Sequence, residues 1–125
     1  MTKPQSEFAR YCCDLLSTVG PCAAKRMFGG YGISTDGLTI AILADLGQGE
    51  KLWLKANAEA AARFEAAGCQ RFSYLAKGKR RSMGYYSAPD EAMESINEMS
   101  PWARLALASA LAARLPKSKP AKPAY

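Results

Sequence analysis

Residue types that commonly do chemistry are few in this chain and sparsely placed. Four cysteines, Cys12, Cys13, Cys22 and Cys69, occur in a sequence with no histidine. A nucleophilic thiolate needs a base beside it, and a zinc site built without imidazole needs four thiolates at ligand spacing. No Cys-x-x-Cys is present and Cys12 adjoins Cys13, so buried free thiols in a reducing compartment are the expectation. The carboxylates Asp14, Asp36, Asp45 and Glu50 stand singly, with no acid–base or metal motif around them. No catalytic residue, cofactor or metal is expected, and the chain reads as non-enzymatic.

Two stretches carry binding potential instead. Arg26-Met27-Phe28-Gly29-Gly30-Tyr31-Gly32 puts three glycines and two aromatics into seven positions. A phosphate loop would need GxxxxGK[ST], or GxGxxG opening a helix whose N-terminus holds the anion. Here Ile33-Ser34-Thr35 and another strand follow, so no helix N-terminus is available. An RNA-recognition strand is only loosely echoed. The remaining reading is structural: Gly29, Gly30 and Gly32 remove side chains so that a strand bends and neighbouring chain approaches closely, with Phe28 and Tyr31 as anchors.

The second stretch runs from Arg71 to Arg81. Arg71, Lys77, Lys79, Arg80 and Arg81 crowd beside Tyr74, Tyr85 and Tyr86, and no acid occurs between Glu65 and Asp90. Cations among aromatics can contact a nucleic-acid backbone. Hairpin tips are also charged simply because they are wet, and Asp90, Glu91, Glu94 and Glu98 are available to neutralise this one. The charge split suits a protein contact at least as well as DNA.

The elements that position these residues follow from pattern. Ser6 is suited to cap a helix whose stripe is Phe8, Cys12, Leu15, Leu16 and Val19, ended by Gly20-Pro21. Segments at about 25–34 and 38–44 read as strands joined by an Asp36-Gly37 turn, which tolerates positive φ. The second, LTIAILA, is apolar on both faces, as a central strand would be. A third strand spans Lys51–Lys55 after Gly47-Gln48-Gly49. Asn57 caps a second helix to about Ala67, with Ala60, Phe64 and Ala67 inward, Glu59 and Arg63 paired outside, and Gly68 as its stop. Residues 71–75 and 82–86 form a second hairpin. Pro89 opens an acidic connector, and Ser100-Pro101 marks the start of a last helix with Trp102, Leu105, Ala106, Ser109 and Ala113 on its inner face. The predicted fold is α+β, a two-layer sandwich in the order α-β-β-β-α-β-β-α, with a mostly antiparallel five-stranded sheet and helices packed on it.

Composition agrees with one core. The 125 residues are 49% hydrophobic and 22% charged, and a chain this long buries roughly two thirds of its unfolded surface. Residues 1–5 are expected to be a flexible N-terminus, 6–115 the domain, and 116–125 a Lys/Pro-rich disordered tail. The formal charge of +6 includes Lys117, Lys119 and Lys122, so about +3 belongs to the rest. No run of about 18 apolar residues could span a bilayer, and MTKPQSEFAR lacks a secretory apolar core. No membrane partner is expected, and the cytoplasm is the expected compartment.

Taken together, RMFGGYG with its following Asp-Gly turn, LWLKA, ARFEAAGCQRFSY, KGKRRSMGYYSAPDE and WARLALASA resemble the N-terminal domain of the TfoX/Sxy family, bacterial regulators of natural competence. The likeness runs from about Phe8 to Leu115. Arg26 to Gly32 is its most diagnostic block, with Phe64, Gly68, Phe72, Tyr74, Met83, Tyr85, Tyr86 and Trp102 at matching places. The resemblance implies a secretion-chaperone-like sandwich and a non-enzymatic role in transcription regulation, with no catalytic residues or cofactor to transfer. It also implies a protein partner such as the cyclic-AMP receptor protein, with the 26–32 block as scaffold or partner surface. Direct nucleic-acid binding through the 71–81 hairpin and the Lys-rich tail is the alternative. Full-length regulators carry a second, helical C-terminal domain, where this chain has its Lys/Pro tail. Two free sheet edges would also permit a homodimer.

Overall fold

The computed structural model describes residues 7–27, 30–45 and 49–114. The elements in chain order are α1 (Glu7–Leu15), a 3₁₀ turn (Ser17–Val19), β1 (Ala23–Met27), β2 (Gly30–Thr35), β3 (Leu38–Asp45), β4 (Glu50–Lys55), α2 (Ala58–Ala66), β5 (Arg71–Ala76), β6 (Lys79–Ser87), a 3₁₀ turn (Asp90–Glu94) and α3 (Ile96–Arg114). All strand pairs are antiparallel, in the order β1-β2-β3-β4-β6-β5. The fold is therefore the expected α+β sandwich, with six strands rather than five.

The extra strand comes from the glycine block. What reads as one bent strand is a hairpin: Met27 pairs with Gly30 and Arg26 with Tyr31, so the chain reverses inside the motif. The only irregularity in the β2–β3 pairing falls just beyond the glycines, between Ile33 and Ser34. LTIAILA is a central strand, as its two apolar faces require. The Asp36-Gly37 turn takes φ of +53° and +78°, the left-handed conformation that this residue pair tolerates.

Helices cover one face. α3 lies on β3 and β4, α1 on β1, and α2 on β6 and α3. Leu52 and Leu54 face the helices with Leu43, Phe64, Tyr86 and Met99, while Trp53 between them joins Ile42, Phe72 and Tyr85 on the opposite side. Trp53 meets Phe72 edge to face at 5.0 Å, and its Nε1–H donates to the Ala44 carbonyl at 3.3 Å. Phe64 stacks on Tyr86 at 5.6 Å and tilts against Trp102 at 5.1 Å. Asn57 caps α2, its Oδ1 accepting from the Ala60 amide at 2.9 Å, and its own amide donates to Ser109 Oγ on α3.

Two details differ from the pattern reading. α3 begins at Ile96, not at Ser100-Pro101: the Ser95 hydroxyl accepts from the Glu98 amide at 3.1 Å, and the extra turn buries Met99 completely. Pro101 consequently sits within the helix. The buried stripe is Met99, Ala103, Ala106 and Ala110 with Ser109, whereas Ala113 is exposed, as is Ala67 just past α2. Ser6 and Gly47-Gln48 lie outside the described residues. Among the described residues no helix is long and apolar enough to cross a membrane.

Candidate partner-binding surfaces

The family-like block occupies a sheet edge. Arg26 is exposed on edge strand β1, and Tyr31, opposite it, packs half-buried against the helix-side core. A Cβ on Gly30 would lie 2.1 Å from the backbone oxygen of Leu43, so this position is closed to every other residue by the approach of β3. Gly32 is buried opposite Ile42 on one side and Lys25 on the other. Phe28 and Gly29 lie outside the described residues, and for Met27 only the backbone is described. At Gly30 the missing side chain admits the neighbouring backbone of β3.

The basic residues of 71–81 are not all brought together. Lys77 and Lys79 are exposed at the β5–β6 tip, where Lys77 holds φ at +53° and Gly78 at +77°. Arg80 and Arg81 follow in β6 opposite Leu75 and Tyr74; their side chains lie outside the description. Arg71 is at the far end of β5, six residues from the first tip lysine. Its guanidinium lies 5.7 Å from the centre of the Tyr86 ring and donates to the Tyr86 hydroxyl at 3.3 Å. That hydroxyl in turn donates to Glu65 of α2. The bond to Glu65 stabilises the protonated phenol and raises the Tyr86 pKa, with burial and the Glu65 charge adding to the effect. The chain Glu65–Tyr86–Arg71 thus ties α2 to the sheet, and Arg71 belongs to it.

The thiols are free and shielded. Burial pushes Cys12 up to about 12 and Cys22 up to about 11, and raises Cys13 and Cys69. At neutral pH such groups stay protonated and are poor nucleophiles. Cys22 Sγ points to the carbonyls of Gly20 and Leu16, at 3.4 and 3.6 Å.

A third surface escapes the sequence reading altogether. Phe8 of α1, Glu50, Lys51 and Leu52 of β4, Ser87 and Ala88 after β6, and Asp90 and Met93 of the 3₁₀ turn enclose a cleft of about 330 Å³. Leu52 is buried; Phe8, Ala88 and Met93 are half-exposed, and Glu50 and Asp90 are exposed carboxylates at the same opening. The Tyr11 hydroxyl donates to the Met93 carbonyl, holding the 3₁₀ turn against α1, and the Tyr11 ring remains 44% exposed. Ile96, one turn of chain beyond Met93, is exposed as well. These residues come from three distant parts of the chain. Their only local signal is the acidic stretch Asp90–Glu94, which reads as a connector.

The TfoX N-terminal domain model matches residues 14–110, from within α1 to near the end of α3. The chain belongs to the TfoX N-terminal domain family. Comparison with curated proteins finds no match. TfoX N-terminal domains form a regulatory family associated with competence regulation, not a known enzyme family. The match contains the Arg26–Gly32 block, the β5–β6 hairpin and most of the cleft, all except Phe8.

Proposed function

We propose that this TfoX-type domain is a non-enzymatic regulatory adaptor that acts in transcription regulation through protein–protein contacts. The observation that carries this reading is the cleft. It combines an aromatic, a methionine and a leucine with carboxylates at its opening, beside exposed Tyr11 and Ile96. Aromatic residues and methionine are enriched in protein interfaces, and a carboxylate-edged surface repels phosphate. The cyclic-AMP receptor protein is the partner suggested by the resemblance to competence regulators. The test is binding of purified receptor protein to the wild-type domain and to Glu50→Lys/Asp90→Lys. Binding weakened tenfold or more by the double variant, about 1.4 kcal/mol, supports the reading. Equal binding by both proteins, or none by either, contradicts it.

Nucleic-acid binding by the β5–β6 tip is the second reading, favoured by Lys77 and Lys79 standing exposed on a left-handed turn. It requires affinity for duplex DNA whose logarithm falls by about 0.9 per phosphate contact for each decade of salt. It also requires loss of that affinity on charge reversal of Lys77, Lys79, Arg80 and Arg81. Engagement of Arg71 with Tyr86 removes one cation from that footprint, which favours the first reading.

A further inference from the structure

We infer that the cleft between α1, β4 and the Asp90–Glu94 turn is the docking site for the Lys/Pro segment of a second copy of this chain. The inference rests on the reading of the cleft as a protein-binding surface and names an occupant that would regulate access to it.

The segment has the chemistry of a polyproline ligand. Pro116-Lys-Ser-Lys-Pro120-Ala-Lys-Pro123 contains a Pro-x-x-Pro, Pro120 to Pro123, with Lys117, Lys119 and Lys122 flanking or inside it. Such sequences favour an extended left-handed helix and dock into grooves lined by aromatic side chains, losing little conformational entropy. The cleft supplies the complement. Phe8 and Met93 offer apolar contact for proline rings over a floor that includes buried Leu52, the exposed Tyr11 flanks Met93, and Glu50 and Asp90 supply carboxylates for the flanking lysines. Lys51 is the one cation among the described lining residues, so the lining carries a net negative charge.

Length decides which copy supplies the segment. Polyproline geometry advances about 3.1 Å per residue, so Pro120, six residues past Arg114, reaches about 19 Å from the end of α3. α3 has 19 residues, about 28 Å at 1.5 Å each, and Met93 lies before its first turn. Pro123, nine residues past Arg114, reaches about 28 Å only at full stretch, so the Pro-x-x-Pro cannot be laid as a whole in its own cleft but is free to enter that of a neighbour. A two-fold pair would fill both clefts with self-complementary contacts. It would also occlude the surface a different partner needs.

The test follows backbone amide resonances of the full-length, isotopically labelled chain from about 20 µM to about 1 mM, a range that brackets weak association. Amides of Leu52, Ala88 and Asp90 should move with concentration, and the movement should shrink several-fold in about 0.5 M salt. Lys117→Glu/Lys119→Glu/Lys122→Glu and Glu50→Lys/Asp90→Lys should each abolish it, and all five substitutions in one chain should restore it. Restoration by charge exchange could not arise from misfolding. Three outcomes overturn the inference: cleft amides independent of concentration, movement confined to 23–27 or 71–76 as expected for sheet-edge pairing, or no rescue in the five-fold variant. Static cleft amides alongside receptor-protein binding that still depends on Glu50 and Asp90 would sink this inference and leave the adaptor reading standing.

Discussion

Gly30 and Gly78 each belong to a hairpin that carries cations and tyrosines. The surroundings of the two differ. A Cβ on Gly30 would collide with the Leu43 carbonyl at 2.1 Å, whereas one on Gly78 would meet nothing within 4 Å. Gly78 is required by its φ of +77°, and Gly30 by the strand pressed against it. The β1–β2 hairpin is therefore held at Gly30 by the backbone of β3, and the tip of β5–β6 at Gly78 by local turn geometry. What separates them is how far from its own turn each hairpin finds its support.

The comparison is most severely stressed at the root of β5–β6, where the hairpin does join the core. Phe64→Ala removes the ring that stacks on Tyr86 and meets Trp102, and should cost about 3–5 kcal/mol in denaturant unfolding. Hydrogen exchange should show 71–87 opening before 30–43. Equal acceleration in both would mean that the two hairpins share one support.

Alkaline pH probes the helix-covered side next. In the unfolded chain the Cys12 thiol loses its proton near 9.0, but in the folded protein it holds it to about 12. Below pH 9 both states are protonated and stability is unaffected by this group. Above it, folding must take up a proton, so stability should fall by up to about 1.4 kcal/mol per pH unit. A melting-temperature series from pH 8 to 11 should decline from about pH 9, and less steeply in Cys12→Ala.

Smaller effects belong to the other end. Tyr86→Phe deletes the hydroxyl shared by Glu65 and Arg71 and should cost about 1–1.5 kcal/mol, because both partners are exposed enough to turn to water. Gly78→Ala should cost about 1 kcal/mol, the strain of a Cβ in a left-handed turn with open space around it. A cost well above this would show that the tip is packed and would erase the contrast with Gly30.

The legible part of this fold is the part written locally. Asn57 before an alanine-rich run, Asp36-Gly37 between apolar segments and Gly68 after Ala67 each state their structure within a few residues. The last helix was also legible, since Ser95 and Glu98 have capping-box spacing, but Ser100-Pro101 offers a competing start. Burial of Met99 decides between them, and that depends on the sheet beneath. The reversal between Met27 and Gly30 lacks the Asn-Gly or Asp-Gly signature of a tight turn, so 25–34 reads as one strand. Arg71 counts with its basic neighbours until the register puts it opposite Tyr86. The cleft was not legible, because residues 8, 50–52 and 87–93 meet only through the order in which the strands pair.

The central claim is that Gly30 is there to let one strand lie against another. The most direct measurement is the unfolding free energy of Gly30→Ala. A loss of about 1–3 kcal/mol or more is expected, because backbone oxygen cannot yield as a side chain would. Wild-type stability in that variant, whether or not binding is lost, would contradict the claim.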